Sequence, residues 1–160
     1  MERSVFQAKE HDIPKIPMKN WILALLHGGE HNKPSDFHFI MYQTFIFSRE
    51  ILHSEGSEFE MLGYGPFSKE VAECINQLLS TNMLDKRKDK SVIGIYGFDL
   101  TEKGKKKAEK ILSEFPKNLR GDVDYMKFLT SKMSHCGMIQ YIYSLYPEYV
   151  HLKKGWINLA

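Results

Sequence analysis

Between Ser68 and Phe115 the chain leaves few folds open. Val71, Cys74, Ile75, Leu78 and Leu79 repeat the i, i+3, i+4, i+7, i+8 template of an amphipathic helix without a miss. Ser68 precedes them as an N-cap and Glu70 falls in the first turn, where the helix dipole favours an acid. The stretch MLDKRKDKSVIGIYGFDL follows, with short apolar segments on either side of a polar tip from Asp85 to Ser91. Val92, Ile93, Ile95, Tyr96 and Phe98 favour strand, so a β-hairpin with a basic tip is expected. Thr101 then caps another helix, whose Ala108, Ile111, Leu112 and Phe115 form one stripe until Pro116 ends it. Its other face, with Lys103, Lys105, Lys106, Lys107 and Lys110, reads as solvated. A helix, a hairpin and a helix of this length cannot bury their apolar faces alone and need further elements to pack on.

The rest of the chain supplies them. Met18, Trp21, Ile22, Leu25 and Leu26 fit a helix that starts after Pro17 and exits at Gly28-Gly29. The stretch SDFHFIMYQTFIFSREIL carries enough aromatic and β-branched residues to suggest a strand. Eighteen residues without Gly or Pro are long for a strand, and Pro34, Ser35 and Asp36 offer helix-start chemistry, so a buried central helix is expected. EFEMLGYGPF reads as a short strand stopped by Gly65-Pro66. In the last third, Val123, Met126, Leu129 and Met133 mark one helix, and Met138, Ile142 and Leu145 mark another that runs up to Tyr146-Pro147. Residues 1–17 are polar and look like a loosely held arm.

The expected architecture is therefore mainly α with a small β-hairpin. Helices around a hairpin that follows a capped helix describe a winged helix-turn-helix with additional C-terminal helices. Residues 1–17 would be a flexible arm, 18–115 the winged-helix core, and 116–160 a helical cap or dimerisation region. With 42% apolar residues in 160, including ten Phe, eight Tyr and two Trp, the chain can fill such a core. No apolar run approaches the roughly 20 residues that span a bilayer, and MERSVFQAKEHDIP lacks the features of a signal peptide. Cys74 and Cys136 have no C-x-x-C spacing and read as reduced thiols of a cytoplasmic protein.

The net charge of +2 hides a segregation. Met1 to Met83 holds 7 Lys/Arg against 11 Asp/Glu, a local −4, whereas Leu84 to Lys110 holds 9 against 5, a local +4. A basic middle segment of this kind suits a polyanion.

Three stretches resemble known proteins. INQLLSTNMLDK, the hairpin, and DLTEKGKKKAEKIL resemble the recognition helix, wing and L-T-x-x-G helix start of PadR- and MarR-type winged-helix regulators. YGPFSKEVAECINQLL and the tail IQYIYSLYPEY resemble a group of small bacterial and archaeal proteins. The amino-terminal part of those proteins is similar to the Panacea domain of SocA-type antitoxins. The resemblance covers roughly residues 18–149. It implies a dimeric, DNA-binding, transcription-regulatory protein or, alternatively, an antitoxin-like or adaptor module that binds a protein partner without sequence-specific DNA binding. In the first case Lys69, Asn76 and Gln77 would face the groove, and Lys86, Arg87, Lys88 and Lys90 of the wing would contact phosphates. Glu70 and Glu73, near the start of the same helix, depart from the basic recognition helix of such regulators and would repel phosphates.

Other chemistry finds less support. His27-Gly28-Gly29-Glu30-His31 spells the inverted zinc-peptidase signature H-x-x-E-H. Two histidines four apart converge on a metal only on a helix, and two glycines inside that step cost roughly 1 kcal/mol each relative to Ala. The pentapeptide reads as a loop, and no metal or cofactor is expected. Gly63 to Ser68 lacks the lysine-serine signature of a P-loop, and Pro66 has no N–H to offer a phosphate. Cys136 beside His135 lacks an orienting partner, and Asp122 and Asp124 read as helix caps. No nucleophile, base and oxyanion donors assemble, so an enzyme is not expected. Tyr125, Phe128, Tyr141, Tyr143, Tyr146, Tyr149 and Trp156 leave two readings open, an intramolecular cap and a homodimer interface.

Overall fold

The computed structural model describes residues 5–27, 35–53, 59–63, 65–88 and 96–150. These form six α-helices and five short strands: α1 (Met18–Leu26), β1 (Ser35–Asp36), α2 (Phe37–Glu50), β2 (Glu60–Leu62), β3 (Gly65–Phe67), α3 (Lys69–Ser80), β4 (Leu84–Lys88), β5 (Tyr96–Leu100), α4 (Glu102–Ser113), α5 (Lys117–Ser131) and α6 (His135–Leu145). The protein is mainly helical with a small antiparallel sheet, ordered β1-β5-β4, and a separate β2-β3 pair. None of the described helices is long and apolar enough to cross a membrane.

Helix α2 is the centre. Its residues from Ile40 to Ser48 are all buried, which is how a helix apolar on every side is accommodated. Burial on all sides overrides the β-propensity of its aromatic residues, a preference that reflects a half-buried pleated surface. Asp36 starts the helix, its Oδ1 accepting from the Phe39 N–H at 2.8 Å. Trp21 of α1 packs its ring 5.1 Å from both Phe47 of α2 and Phe115 beyond α4, and so joins three layers of one continuous core. Gln43 of α2 donates from Nε2 to Thr130 Oγ1 of α5 at 2.8 Å, which satisfies two buried polar groups at once.

Helices α5 and α6 occupy the positions their apolar spacing predicts, with Val123 and Met126 buried on one and Met138 and Ile142 on the other. Tyr146 and Tyr149 lie at 5.5 and 6.3 Å from the Phe45 ring, so this part of the aromatic tail covers α2. Tyr125 and Phe128 on α5 point outward, 42% and 55% exposed. Trp156 lies outside the described residues.

Several local expectations need correction. Gly65-Pro66 does not stop the first strand piece. It belongs to a second strand, with Pro66 opposite Met61 in a two-stranded pair where a missing N–H leaves no further ladder broken. Lys86 and Arg87 lie within β4, opposite Phe98 and Gly97, rather than in a hairpin tip. The tip itself, with Val92, Ile93 and Ile95, lies outside the described residues. Asp122 and Asp124 are not caps, because α5 already begins at Lys117. Asp124 is exposed and 3.9 Å from Arg120 Nε. Asp122 is buried, and its two carboxylate oxygens accept the backbone N–H groups of Gln7 and Ala8 at 2.7 and 2.6 Å. That contact, with Phe6 edge-on to Tyr125 at 5.9 Å and Ile13 and Ile16 against the core, ties down residues 6–16 of the segment expected to hang loosely; residues 1–4 of that segment lie outside the described residues.

Candidate nucleic-acid interface

Helix α3 forms as its sequence dictates. Ser68 Oγ accepts from the Val71 N–H at 3.2 Å, while Val71, Cys74, Ile75 and Leu78 turn inward. The opposite face presents Lys69, Glu70, Glu73, Asn76, Gln77 and Ser80 to solvent. Lys69, Asn76 and Gln77 are thus all outward. Lys69, Glu73, Asn76 and Ser80 follow i, i+4, i+7, i+11 spacing and share one line, so the single cation there is flanked by acids.

The end of α3 and the start of α4 are locked to each other, and the lock explains the L-T-x-x-G pattern. Thr101 Oγ1 accepts from the Gly104 N–H at 3.0 Å and donates to the Asn82 carbonyl at 2.6 Å. Its own N–H reaches the Met83 carbonyl at 3.1 Å. Asn82 has a φ of 60°, a left-handed turn residue of the kind Asn tolerates. A Cβ on residue 104 would overlap the Met83 carbonyl oxygen, so glycine is needed for the close approach. Lys103 Nζ adds a bond to the Thr81 carbonyl at 3.2 Å. The helix face, the hairpin and the next helix therefore keep a fixed relation.

On the hairpin, Lys86 and Arg87 are exposed. Arg87 Nη1 stands 3.7 Å from Asp99 Oδ2 across the strands, with both side chains about half in solvent, a pair worth little but one that lowers the local positive charge. Lys88 closes β4 with its backbone, and Lys90 lies outside the described residues. Lys69, Asn76 and Gln77 lie on α3 and Lys86 and Arg87 on the strand that follows it, joined by the turn that Thr101 holds.

One residue with no part in the sequence expectations stands out. Lys127 of α5 donates from Nζ to the His27 carbonyl, at the end of α1, at 2.5 Å. Burial pushes its ammonium down to about 8, against the pull of Asp124, and Arg120 lowers it further. His27 also meets Glu109 of α4, Nε2 to Oε1 at 3.4 Å. The first residue of the HGGEH pentapeptide is thus tied to α4 and α5, while Gly28 to His31 lie outside the described residues. The i+4 step from Val123 to Lys127 places the amine on the inward flank of α5, a signal present in the sequence. Near α6, His135 Nε2 lies 2.8 Å from Asp36 Oδ2. Among the described residues no group of three or more His, Cys, Asp or Glu is arranged to hold a metal ion.

No family model, no curated protein and no solved structure matches the chain.

Proposed function

We propose that the protein is a winged-helix module that binds duplex DNA in a regulatory role. The observation that carries this is the sheet order. β1, from just before α2, pairs with β5, and β5 pairs with β4 of the hairpin that follows α3. Helix, strand, helix, helix and hairpin, with the early strand closing the sheet, is the chain order of a winged helix-turn-helix; the β2-β3 pair is an addition between its second and third helices. The resemblance to PadR- and MarR-type regulators agrees with it. In this reading Lys86 and Arg87 contact phosphates, and Asn76 and Gln77 offer amides that match the N6 and N7 edge of adenine. Lys69 lies on the same face. Two copies would read half-sites about one helical turn apart.

A gel-shift titration across salt tests the proposal. Binding that weakens steeply with added salt, with a slope reduced in a Lys86→Gln/Arg87→Gln variant, is the expected result. The absence of any shifted genomic fragment at low ionic strength would remove the DNA-binding function.

A second reading is favoured by two other observations, the outward Tyr125 and Phe128 and the acids Glu70 and Glu73 on α3. In it, the chain is an antitoxin-like or adaptor module that engages a protein partner through aromatic anchors. A copurifying protein whose capture ignores the hairpin charges would favour it over DNA binding.

A further inference from the structure

Helix α4 gathers four lysines on one flank. Lys103, Lys106, Lys107 and Lys110 follow i, i+3, i+4, i+7 spacing and line one flank. Beside it, Lys105 Nζ lies 3.4 Å from Glu102 Oε1, and Glu109 faces His27. All four lysines of the flank are exposed, and among the described residues none has an acid within ion-pair distance. The buried stripe of the helix, Gly104, Ala108, Ile111 and Leu112, anchors this arrangement to the core. Glu102, four residues before Lys106, and Glu114, the C-cap four residues after Lys110, stand at the two ends of this flank, and among the described residues neither is within ion-pair distance of its lysines.

The position of the flank gives it a direction. Lys103 Nζ bonds the Thr81 carbonyl at the C-terminal end of α3, so the flank runs on from that end of the helix. Asn76, Gln77 and Ser80, the uncharged polar residues of α3, are exposed in the same half of α3. Glu70 and Glu73 occupy its N-terminal half and repel phosphates. Seven residues of helix extend roughly 10 Å, the axial rise of about three phosphates on one DNA strand. Charge and spacing therefore match a phosphate backbone better than a point ligand.

We infer that the Lys103–Lys106–Lys107–Lys110 flank of α4 is a phosphate-binding track for duplex DNA, which crosses the C-terminal half of α3 rather than its N-terminus. The inference rests on the DNA-binding reading above and deepens it, moving the main electrostatic contact from the hairpin to α4.

Fluorescence anisotropy of the full chain with a labelled mixed-sequence duplex of about two helical turns, measured across salt, decides it. Three proteins are compared: the native chain, a Lys106→Gln/Lys107→Gln/Lys110→Gln variant and a Lys86→Gln/Arg87→Gln variant. Lys103 is spared because it also holds Thr81. Thermal melts by circular dichroism check that the exposed substitutions leave the fold intact. The α4 variant is expected to lose roughly tenfold or more in affinity at low salt, and its log–log salt slope to fall by about 2.7, or 0.9 per phosphate contact. An α4 variant that keeps the native slope, while the hairpin variant loses it, overturns the track and leaves DNA binding in place. If the native chain fails to bind the duplex at low salt, with or without capture by phosphatidylserine vesicles, both the track and the DNA reading fall.

Discussion

Gly104 and Gly121 show how far the meaning of a residue depends on what its missing side chain would touch. Both lie inside helices, where glycine is the weaker choice by roughly 0.5–1 kcal/mol relative to alanine. At 104 a Cβ meets the Met83 carbonyl oxygen, a backbone atom held by Thr101 and unable to step aside without breaking the α3–α4 lock. At 121 nothing lies within 4 Å. Gly104→Ala is therefore expected to destabilise the protein by on the order of 3 kcal/mol through overpacking, and Gly121→Ala to stabilise it by about 0.5–1 kcal/mol. Urea denaturation of the two variants beside the native chain measures both. Equal effects of the same sign would mean that helix propensity, and not the carbonyl contact, governs position 104.

At the scale of elements, what could be read in advance was whatever is encoded locally. Helices α3 and α4 combine a side-chain cap with an uninterrupted apolar stripe, and both appear where Ser68 and Thr101 start them. Helix α2 was legible from its length, once burial on all sides was weighed against β-propensity. The outward direction of Lys69, Asn76 and Gln77 follows from the same periodicity. Strand β3 escaped because Pro66 is a stop signal only where a ladder needs its N–H. The N-terminal arm escaped for a different reason. Its ties run from Gln7 and Ala8 to Asp122, more than 110 positions away, and leave no period in the sequence. Asp122→Ala would strand two backbone donors and is expected to cost about 2–3 kcal/mol. Trypsin should then cut faster after Lys9 and Lys15. Asp124→Ala removes an exposed pair with Arg120 and part of the favourable field on Lys127, but it touches no residue of the arm and should leave cleavage native. Unchanged cleavage in the Asp122 variant would show that Phe6, Ile13 and Ile16 hold the arm without it.

For the molecule as a whole, the way the C-terminal helices close over the core sets a pH dependence with two opposed limbs. Lys127 joins α5 to the end of α1 and is partly buried there, so the folded state holds its proton only up to about 8, whereas the unfolded chain holds it to the ordinary 10.5. Between those values the unfolded state binds the extra proton, and stability rises with pH by at most about 1.4 kcal/mol per pH unit. The opposite limb comes from acids that burial keeps neutral. The Cys74 thiol is pushed up from its ordinary 9.0, and the Tyr141, Tyr143 and Tyr146 phenols from 10.0. Each ionises first in the unfolded chain, so the stability these groups contribute is present below the ordinary values and is lost as pH climbs past them. The limbs overlap least between pH 8 and 9, where Lys127 dominates and only Cys74 has begun to ionise in the unfolded chain. Urea unfolding across that interval should show the native chain gaining stability, while Lys127→Met, which keeps the stem and removes the amine, should be flat or declining. A variant that gains as much as the native chain would place the rise elsewhere. It would also mean that the amine is hydrated despite its bond to the His27 carbonyl, and that the α1–α5 junction is more open than its packing implies.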